Sequence, residues 1–318
     1  MNQNEYVMFV IENKCNNDCG ICWLEGTDGV VTDLHTISFS FFKRFLKAIP
    51  KGKYSGVIFS GGEVTLNEQL SEYTSYARDN GFRNIMIQTN GRALANLRKA
   101  KQLKEAGINQ YLVSFHSADK DLFDRITGRV GAWGQTLKAL ENLEQLDLTV
   151  ITNTVVNSIN YKGLPATGRL LRKFSNIVEM EFWGYVPVSS KAAELILPYA
   201  LAAPYLNKTI KYLVNQELEI CIKYFPVCLL DAPYKKYHNN QQAANAFGVD
   251  DHFFTKINSC GFKNYPCCEG TDCWGLPEKY KGTMPQAHWM PIGSTGRSIG
   301  PAGALASLRK GYNSADTL

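Results

Sequence analysis

Histidine is scarce in this chain, 5 in 318 residues, and none lies close enough in sequence to the first cysteines to serve as a local fourth ligand. Structural zinc ordinarily takes four protein ligands, commonly as two short Cys or Cys/His pairs, so this scarcity counts against a closed zinc knot near the amino terminus. Also missing is any apolar run long enough to cross a bilayer. There is no charged, then apolar, then cleavable amino-terminal segment to direct the chain outside the cell. Without such a signal, nine cysteines are not a disulfide framework, and an odd number cannot all pair. A cytoplasmic location is therefore expected. Acidic and basic residues are interspersed rather than blocked, and a formal net charge of +5 falls short of a nucleic-acid signature. It does suit contact with an acidic peptide or a phosphorylated small molecule.

What is present is enough for one large core, or a core plus a small module: 318 residues, 45% apolar. Apolar strand patterns at Tyr6 to Glu12, Ile58 to Ser60, Asn84 to Gln88, Gln110 to Phe115, Leu148 to Val155 and Val178 to Phe182 alternate with helical patterns. The helices are expected at Ser38 to Ile49, Glu68 to Asp79, Leu94 to Ala106, Trp133 to Leu146 and Leu164 to Phe174; Ser38 caps the first and Pro50 ends it. Just after the first strand, Cys15, Cys19 and Cys22 place three thiols on one short loop. A cubane iron–sulfur cluster takes four ligands, so three leave one iron open to something that is not protein. A redox or zinc thiol loop is the plainer alternative. The second strand runs into Gly61-Gly62-Glu63, where two glycines permit a tight turn and close backbone approach.

Taken together, Cys-x-x-x-Cys-x-x-Cys after the first strand and Gly-Gly-Glu after the second resemble the radical S-adenosylmethionine (radical SAM) enzymes. The resemblance continues through Gln88-Thr89-Asn90-Gly91, Val113 to Ser117, Asp121 to Gly128, Trp133 to Leu137 and Thr152 to Asn157, roughly the first two-thirds of the chain. Ile21 departs from it, standing where the family often has an aromatic residue. The resemblance implies an α/β fold, a partial (β/α)6 TIM-type barrel, with chemistry at the carboxyl ends of the strands. It also implies a [4Fe–4S] cluster on Cys15, Cys19 and Cys22, whose open iron is chelated by the amine and carboxylate of S-adenosylmethionine. Reductive cleavage then yields a 5′-deoxyadenosyl radical that takes a hydrogen atom from a substrate C–H bond. By the same resemblance, Gly61, Gly62 and Glu63 meet the methionine amine, chiefly through backbone carbonyls, with Glu63 adding charge. Asn90 and Ser114 match positions that contact the ribose or the methionine carboxylate, and Asn153 is a further candidate for the ribose. His116 faces substrate or is a satisfied structural group. A reductant such as flavodoxin or ferredoxin is the implied protein partner.

The remaining cysteines lie late: Cys221, Cys228, Cys260, Cys267, Cys268 and Cys273. The segments around Cys228 and from Cys267 to Leu276 look like a small cysteine-rich extension of the SPASM or twitch type, without its usual spacings. The expected ligands of a second [4Fe–4S] cluster are Cys228, Cys260, Cys268 and Cys273, with Cys267 the substitute for Cys268; zinc in the same thiols is the alternative. Cys221, alternating with apolar neighbours on a strand, is a buried small hydrophobe or a hydrogen-atom donor to a product radical. The expected organisation is a core at 1–197, an auxiliary-cluster module at 198–280 opening with a helix from Pro198 to Asn215 broken near Pro204, and a flexible tail at 281–318. The first strand starts at once, so no winged-helix peptide-binding domain is expected before it. Maturation of a ribosomal peptide is the favoured role; radical oxidation or rearrangement of a sugar, aminocyclitol or nucleoside is the alternative. A non-catalytic zinc or iron–sulfur scaffold would keep the thiols but would not need Gly61-Gly62-Glu63 or the polar strand ends.

Overall fold

The structure is a computed structural model, and it describes residues 5–22, 26–27, 30–31, 35–186, 195–216, 218–239 and 245–247. Strand β1 (Tyr6–Glu12) is followed by a small antiparallel pair, β2 (Gly26–Thr27) and β3 (Val30–Val31), and by α1 (Phe39–Ala48). The chain continues through β4 (Gly56–Gly61), α2 (Leu70–Asp79), β5 (Asn84–Thr89), α3 (Leu97–Ala106), β6 (Gln110–Ser114), α4 (Lys120–Thr127) and α5 (Ala132–Gln145). Then come β7 (Thr149–Val156), α6 (Leu164–Leu171), β8 (Ile177–Gly184), α7 (Tyr199–Leu213), β9 (Glu219–Lys223) and β10 (Asn245–Phe247). One eight-stranded sheet has the order β10-β1-β4-β5-β6-β7-β8-β9, and every neighbouring pair is parallel. Seven of its strands are those read from the sequence: β1, β4 to β8, and β9 as the strand through Cys221. The sheet is open, as a partial barrel requires, with β10 and β9 at its edges.

The helices form where local chemistry starts and stops them. Ser38 Oγ accepts from Phe41 N at 3.2 Å to cap α1, and Asp119 caps α4 through Leu122 N at 2.9 Å. Gly107 ends α3 in the left-handed region at φ 118°. Helix α7 departs from the sequence expectation, because it runs unbroken through Pro204. Pro204 lies inside the helix, where it forfeits the bond to the Ala200 carbonyl and crowds it, and the burial of Ala202, Ala203, Leu206 and Ile210 against the core offsets that cost. β9 and β10 extend the barrel's sheet, and α7 and β9 contribute to its core. Cys260, Cys267, Cys268, Cys273 and the expected tail lie outside the described residues.

Alternation along the strands sorts their side chains into two separate clusters. Val7, Phe9, Val57, Phe59, Ile85, Ile87, Tyr111 and Val113 point outward into the large cluster shared with the helices. Tyr6, Met8, Ile58, Met86, Leu112 and Ile151 point inward and plug the lumen. Two residues further along β4, β5, β6 and β7, the inward positions turn polar at Ser60, Gln88, Ser114 and Asn153. The lumen is therefore sealed at the amino end and polar at the carboxyl end.

His116, just past β6, is 4% exposed; its ring lies over Phe123 with centroids 6.0 Å apart, and Nδ1 accepts from Val155 N at 3.4 Å. Its main-chain carbonyl accepts from Asn160 Nδ2 at 2.8 Å, the pattern of a satisfied structural group. Burial lowers its pKa from 6.5 to about 4. A histidine held neutral contributes full stability above 6.5 and loses it as pH falls toward 4. Denaturant unfolding should accordingly show a loss of about 3 kcal/mol from this group over that window, and His116→Gln should flatten that part of the profile.

Candidate active site

The cysteine loop makes few bonds of its own. Cys22 N donates to Cys19 O at 3.2 Å and Asn17 N to Cys15 Sγ at 3.4 Å, and all three thiols are part-buried. The loop is held instead by three neighbours. The first is the Gly-Gly-Glu turn, where Gly62 N donates to Glu12 O and Glu63 N to Lys14 O, both at 2.8 Å. A Cβ on Gly61, which has φ 145°, would lie 2.0 Å from Glu12 O, and one on Gly62 would lie 2.4 Å from Lys14 O. The glycines are thus required by the approach of one backbone to another. The second clamp is the end of α4: Asp18 N donates to Thr127 O at 3.0 Å and Gly20 N to Ile126 O at 3.1 Å. Gly128, in the left-handed region at φ 64°, would put a Cβ 2.2 Å from Asp18 O.

The third clamp lies beyond β5, and its key residue was missed from the sequence. Asn90 Nδ2 donates to Asn16 Oδ1 at 2.7 Å and approaches Cys15 Sγ at 3.9 Å. Arg92 Nη1 donates to Asn16 O and, at 3.0 Å, to Asn17 Oδ1, while its Nε donates to Gln135 Oε1 on α5 at 2.6 Å. The available signal was position, an arginine directly after Thr-Asn-Gly at a strand end. Glu63 itself is fully buried. Its Oε1 accepts from Thr65 Oγ1 and Thr89 Oγ1, each at 2.6 Å, and from Thr65 N at 3.1 Å; its Oε2 accepts from Asn90 N at 2.7 Å. Burial still raises its pKa against these bonds. The carboxylate ties the end of β4 to the end of β5, leaving the backbone of the turn to face the loop.

Cys15, Cys19 and Cys22 are near enough for their charges to act on one another. Burial pushes Cys15 up to about 11 and Cys19 well above its ordinary value. A bound metal cluster would supply the positive charge such thiolates lack. Among the described residues, only Glu179, Glu181 and Cys221 form a trio of His, Cys, Asp or Glu whose ligand atoms all lie within 4.8 Å of one another. The loop thiols are more widely spread than that. Ser114 and Asn153 are neighbours across β6 and β7, and Asn153 Nδ2 is buried with no partner. That orphaned donor at the polar end of the lumen fits a ligand acceptor.

On the β8–β9 side the lumen carries charge that sequence reading did not single out. Glu181 Oε1 accepts from Lys223 Nζ at 3.0 Å and Glu181 Oε2 from Trp183 Nε1 at 2.7 Å, while Nζ also lies 5.3 Å from the Trp183 ring centre. Burial works to lower the Lys223 pKa, but the charge of Glu181 outweighs it and the ammonium is held charged. That ammonium already supplies the positive charge a cation would bring to the Glu179, Glu181 and Cys221 trio. Cys221 faces Glu181 across the pair of strands, and burial pushes its thiol up to about 12. The signal was the alternation of charge with apolar residues in Glu179-Met180-Glu181-Phe182 and Cys221-Ile222-Lys223. Such a pattern ordinarily marks a solvated face, and here it faces the lumen. Cys228 packs against the large core cluster.

The model of the Radical SAM superfamily matches residues 9–171. The Fe-coproporphyrin III synthase of Methanosarcina barkeri is 29% identical over 167 residues, 52% of this chain and 41% of that protein. A probable GTP 3′,8-cyclase of Saccharolobus solfataricus is 29% identical over 157 residues, 49% of each. The chain thus spans half or less of the length of these relatives. Streptococcus suis SuiB bound to precursor peptide SuiA superposes with a TM-score of 0.56 at 15% identity, covering 69% of this chain and 48% of that one. Coproporphyrinogen III oxidase (HemN) from Escherichia coli does so with a TM-score of 0.51 at 16% identity, covering 67% and 53%. At these identities the structural likeness concerns the fold.

A Cβ at position 62 has no space against the Lys14 carbonyl, whereas one at Gly134, on α5, meets nothing within 4 Å. Gly62→Ala should lower the iron retained after anaerobic reconstitution several-fold, and Gly134→Ala should retain it and gain about 0.5–1 kcal/mol in stability.

Proposed function

The chain belongs to the radical SAM superfamily, and on that premise we propose that it reductively cleaves S-adenosylmethionine to a 5′-deoxyadenosyl radical that abstracts a hydrogen atom from a substrate C–H bond. Members of the family are enzymes that use a [4Fe–4S] cluster and S-adenosylmethionine. The observation that carries the reading is a clamped loop presenting three part-buried thiols, beside a lumen with an orphaned amide donor. Cys15, Cys19 and Cys22 would hold the cluster. The backbone of Gly61, Gly62 and Glu63 would receive the methionine amine, with the Glu63 charge acting from beneath. Asn90, Ser114 and Asn153 would orient the ribose and methionine carboxylate. Ile21, Ile126, Val155, Tyr185 and Leu195 form an apolar patch against which Cys19 and Trp183 pack, and it would exclude water from the loop.

For the substrate, maturation of a ribosomal peptide is the first reading. It is supported by the likeness in fold to SuiB with a precursor peptide and to anSMEcpe with AdoMet and the Kp18Cys peptide, which covers 69% and 68% of this chain. A second reading, radical chemistry on a small molecule, is favoured by relatives named for a porphyrin, a nucleotide and a pterin. A second [4Fe–4S] cluster on Cys228, Cys260, Cys268 and Cys273, with Cys267 the substitute, is part of the same reading. Its module would occupy 198–280, built onto α7 and β9, with the tail at 281–318 beyond it. Flavodoxin or ferredoxin would supply the electron. Cys221, held as a thiol on the lumen face of β9, would give its hydrogen atom to a product radical; one electron and one proton would return the resulting thiyl to the thiol.

Anaerobic reconstitution should load about eight irons per chain for two cubanes, or about four for one. Zinc alone would overturn the enzyme reading. Adding S-adenosylmethionine and dithionite should release 5′-deoxyadenosine, Cys22→Ala should abolish that product, and Cys273→Ala should spare it. Run with substrate in deuterium oxide, the reaction should place deuterium in the product from the exchangeable thiol, and Cys221→Ala should remove most of it. Unchanged labelling would exclude that role for Cys221.

A further inference from the structure

Exposed cations without partners stand around the cysteine loop. Lys14 directly precedes Cys15 and is exposed; Arg125 and Arg129 are exposed on either side of the Ile126 and Thr127 carbonyls that hold the loop. Their side chains make no hydrogen bond or ion pair among the described residues. Next to Arg129, Val130 is 93% exposed, by a wide margin the most exposed large apolar side chain described. This turn is not a loose one. Gly128 and Gly131 bracket it at φ 64° and 83°, and the buried Asp124 carboxylate accepts from Gly131 N at 2.7 Å and Trp133 N at 2.8 Å. Nearby, Lys120 is offset by Asp121 and Asp124, at 3.5 and 3.9 Å. Asp18 is exposed on the loop itself and has a partner, and Lys14, Arg125 and Arg129 outnumber it.

We propose that Lys14, Arg125, Arg129 and Val130 form the docking surface for the electron donor, a small acidic protein carrying a flavin or iron–sulfur group. The proposal rests on the reading of Cys15, Cys19 and Cys22 as cluster ligands. Electron tunnelling falls steeply with distance, so the donor's redox group must come close to the loop. The turn after α4 is the exposed element hydrogen-bonded to that loop through its own helix. Positive charge steers an acidic partner to it, and a single rigid aliphatic contact suits a brief, weak encounter. One electron passes from the reduced flavin or iron–sulfur group of the donor to the enzyme's cluster, and no bond is made or broken in that step.

The test uses the reconstituted full chain with S-adenosylmethionine, driven either by dithionite or by flavodoxin with its reductase and NADPH, and reads 5′-deoxyadenosine. The double variant R125E/R129E should keep the dithionite-driven rate and lose about tenfold of the flavodoxin-driven rate. Raising salt should slow the wild type with flavodoxin and leave the variant almost unaffected. Arg98 and Lys101, exposed on α3, provide the control, since R98E/K101E should change neither rate. Val130→Asp should reproduce the selective loss without touching an arginine. The proposal is overturned if R125E/R129E keeps the wild-type rate with flavodoxin, if R98E/K101E loses as much, or if neither flavodoxin nor ferredoxin supports the wild type. Absence of product with dithionite in the wild type would instead sink the cluster reading itself.

Discussion

Everything at the carboxyl end of this barrel depends on fixing an irregular loop that cannot fix itself. Three thiols must be held in one arrangement, yet the loop makes few hydrogen bonds of its own. Its main-chain groups are taken up by the Gly-Gly-Glu turn, by the last carbonyls of α4 and by Arg92. Backbone can approach backbone this closely only where no Cβ intervenes, which is why Gly62 and Gly128 stand where they do. Motifs dispersed from residue 12 to residue 128 thus serve one mechanical purpose. Buried Glu63 extends the same logic inward, since four hydrogen bonds to Thr65, Thr89 and Asn90 lock the strand ends that carry two of the clamps.

The lumen divides chemical labour along its length. Its amino end is plugged by Tyr6, Met8, Ile58, Met86, Leu112 and Ile151, which close the barrel to water from below. At its other end sit polar groups with little reason to be there for stability. A buried ion pair such as Glu181 with Lys223 recovers its desolvation cost only in part, and well-packed apolar residues often serve a core as well. Trp183 shares Glu181 with that ammonium and packs against the apolar patch containing Ile21. The charged wall and the cysteine loop are thereby joined through one indole.

Much of the architecture could be read from residue order. The Cys15, Cys19 and Cys22 spacing, the glycine pair and the strand–helix alternation pointed to the family and to its six core strands, and the caps at Ser38 and Pro50 bounded α1 closely. Misreadings came where a local rule met a tertiary override. Pro204 did not break α7 because its neighbours are buried against the core. Arg92 and Lys223 were passed over because a lone charge on a pattern of this kind is ordinarily solvated.

By itself, the chain's order of residues determined the class of cofactor chemistry, since three soft ligands on one loop and a parallel alternating pattern are local properties. Which face each charge occupies, and which distant backbone each glycine must admit, was decided only when the sheet curled. Sequence separation carries no information about direction around a barrel, and curvature alone brings Asp18 to Gly128 and Glu181 to Lys223.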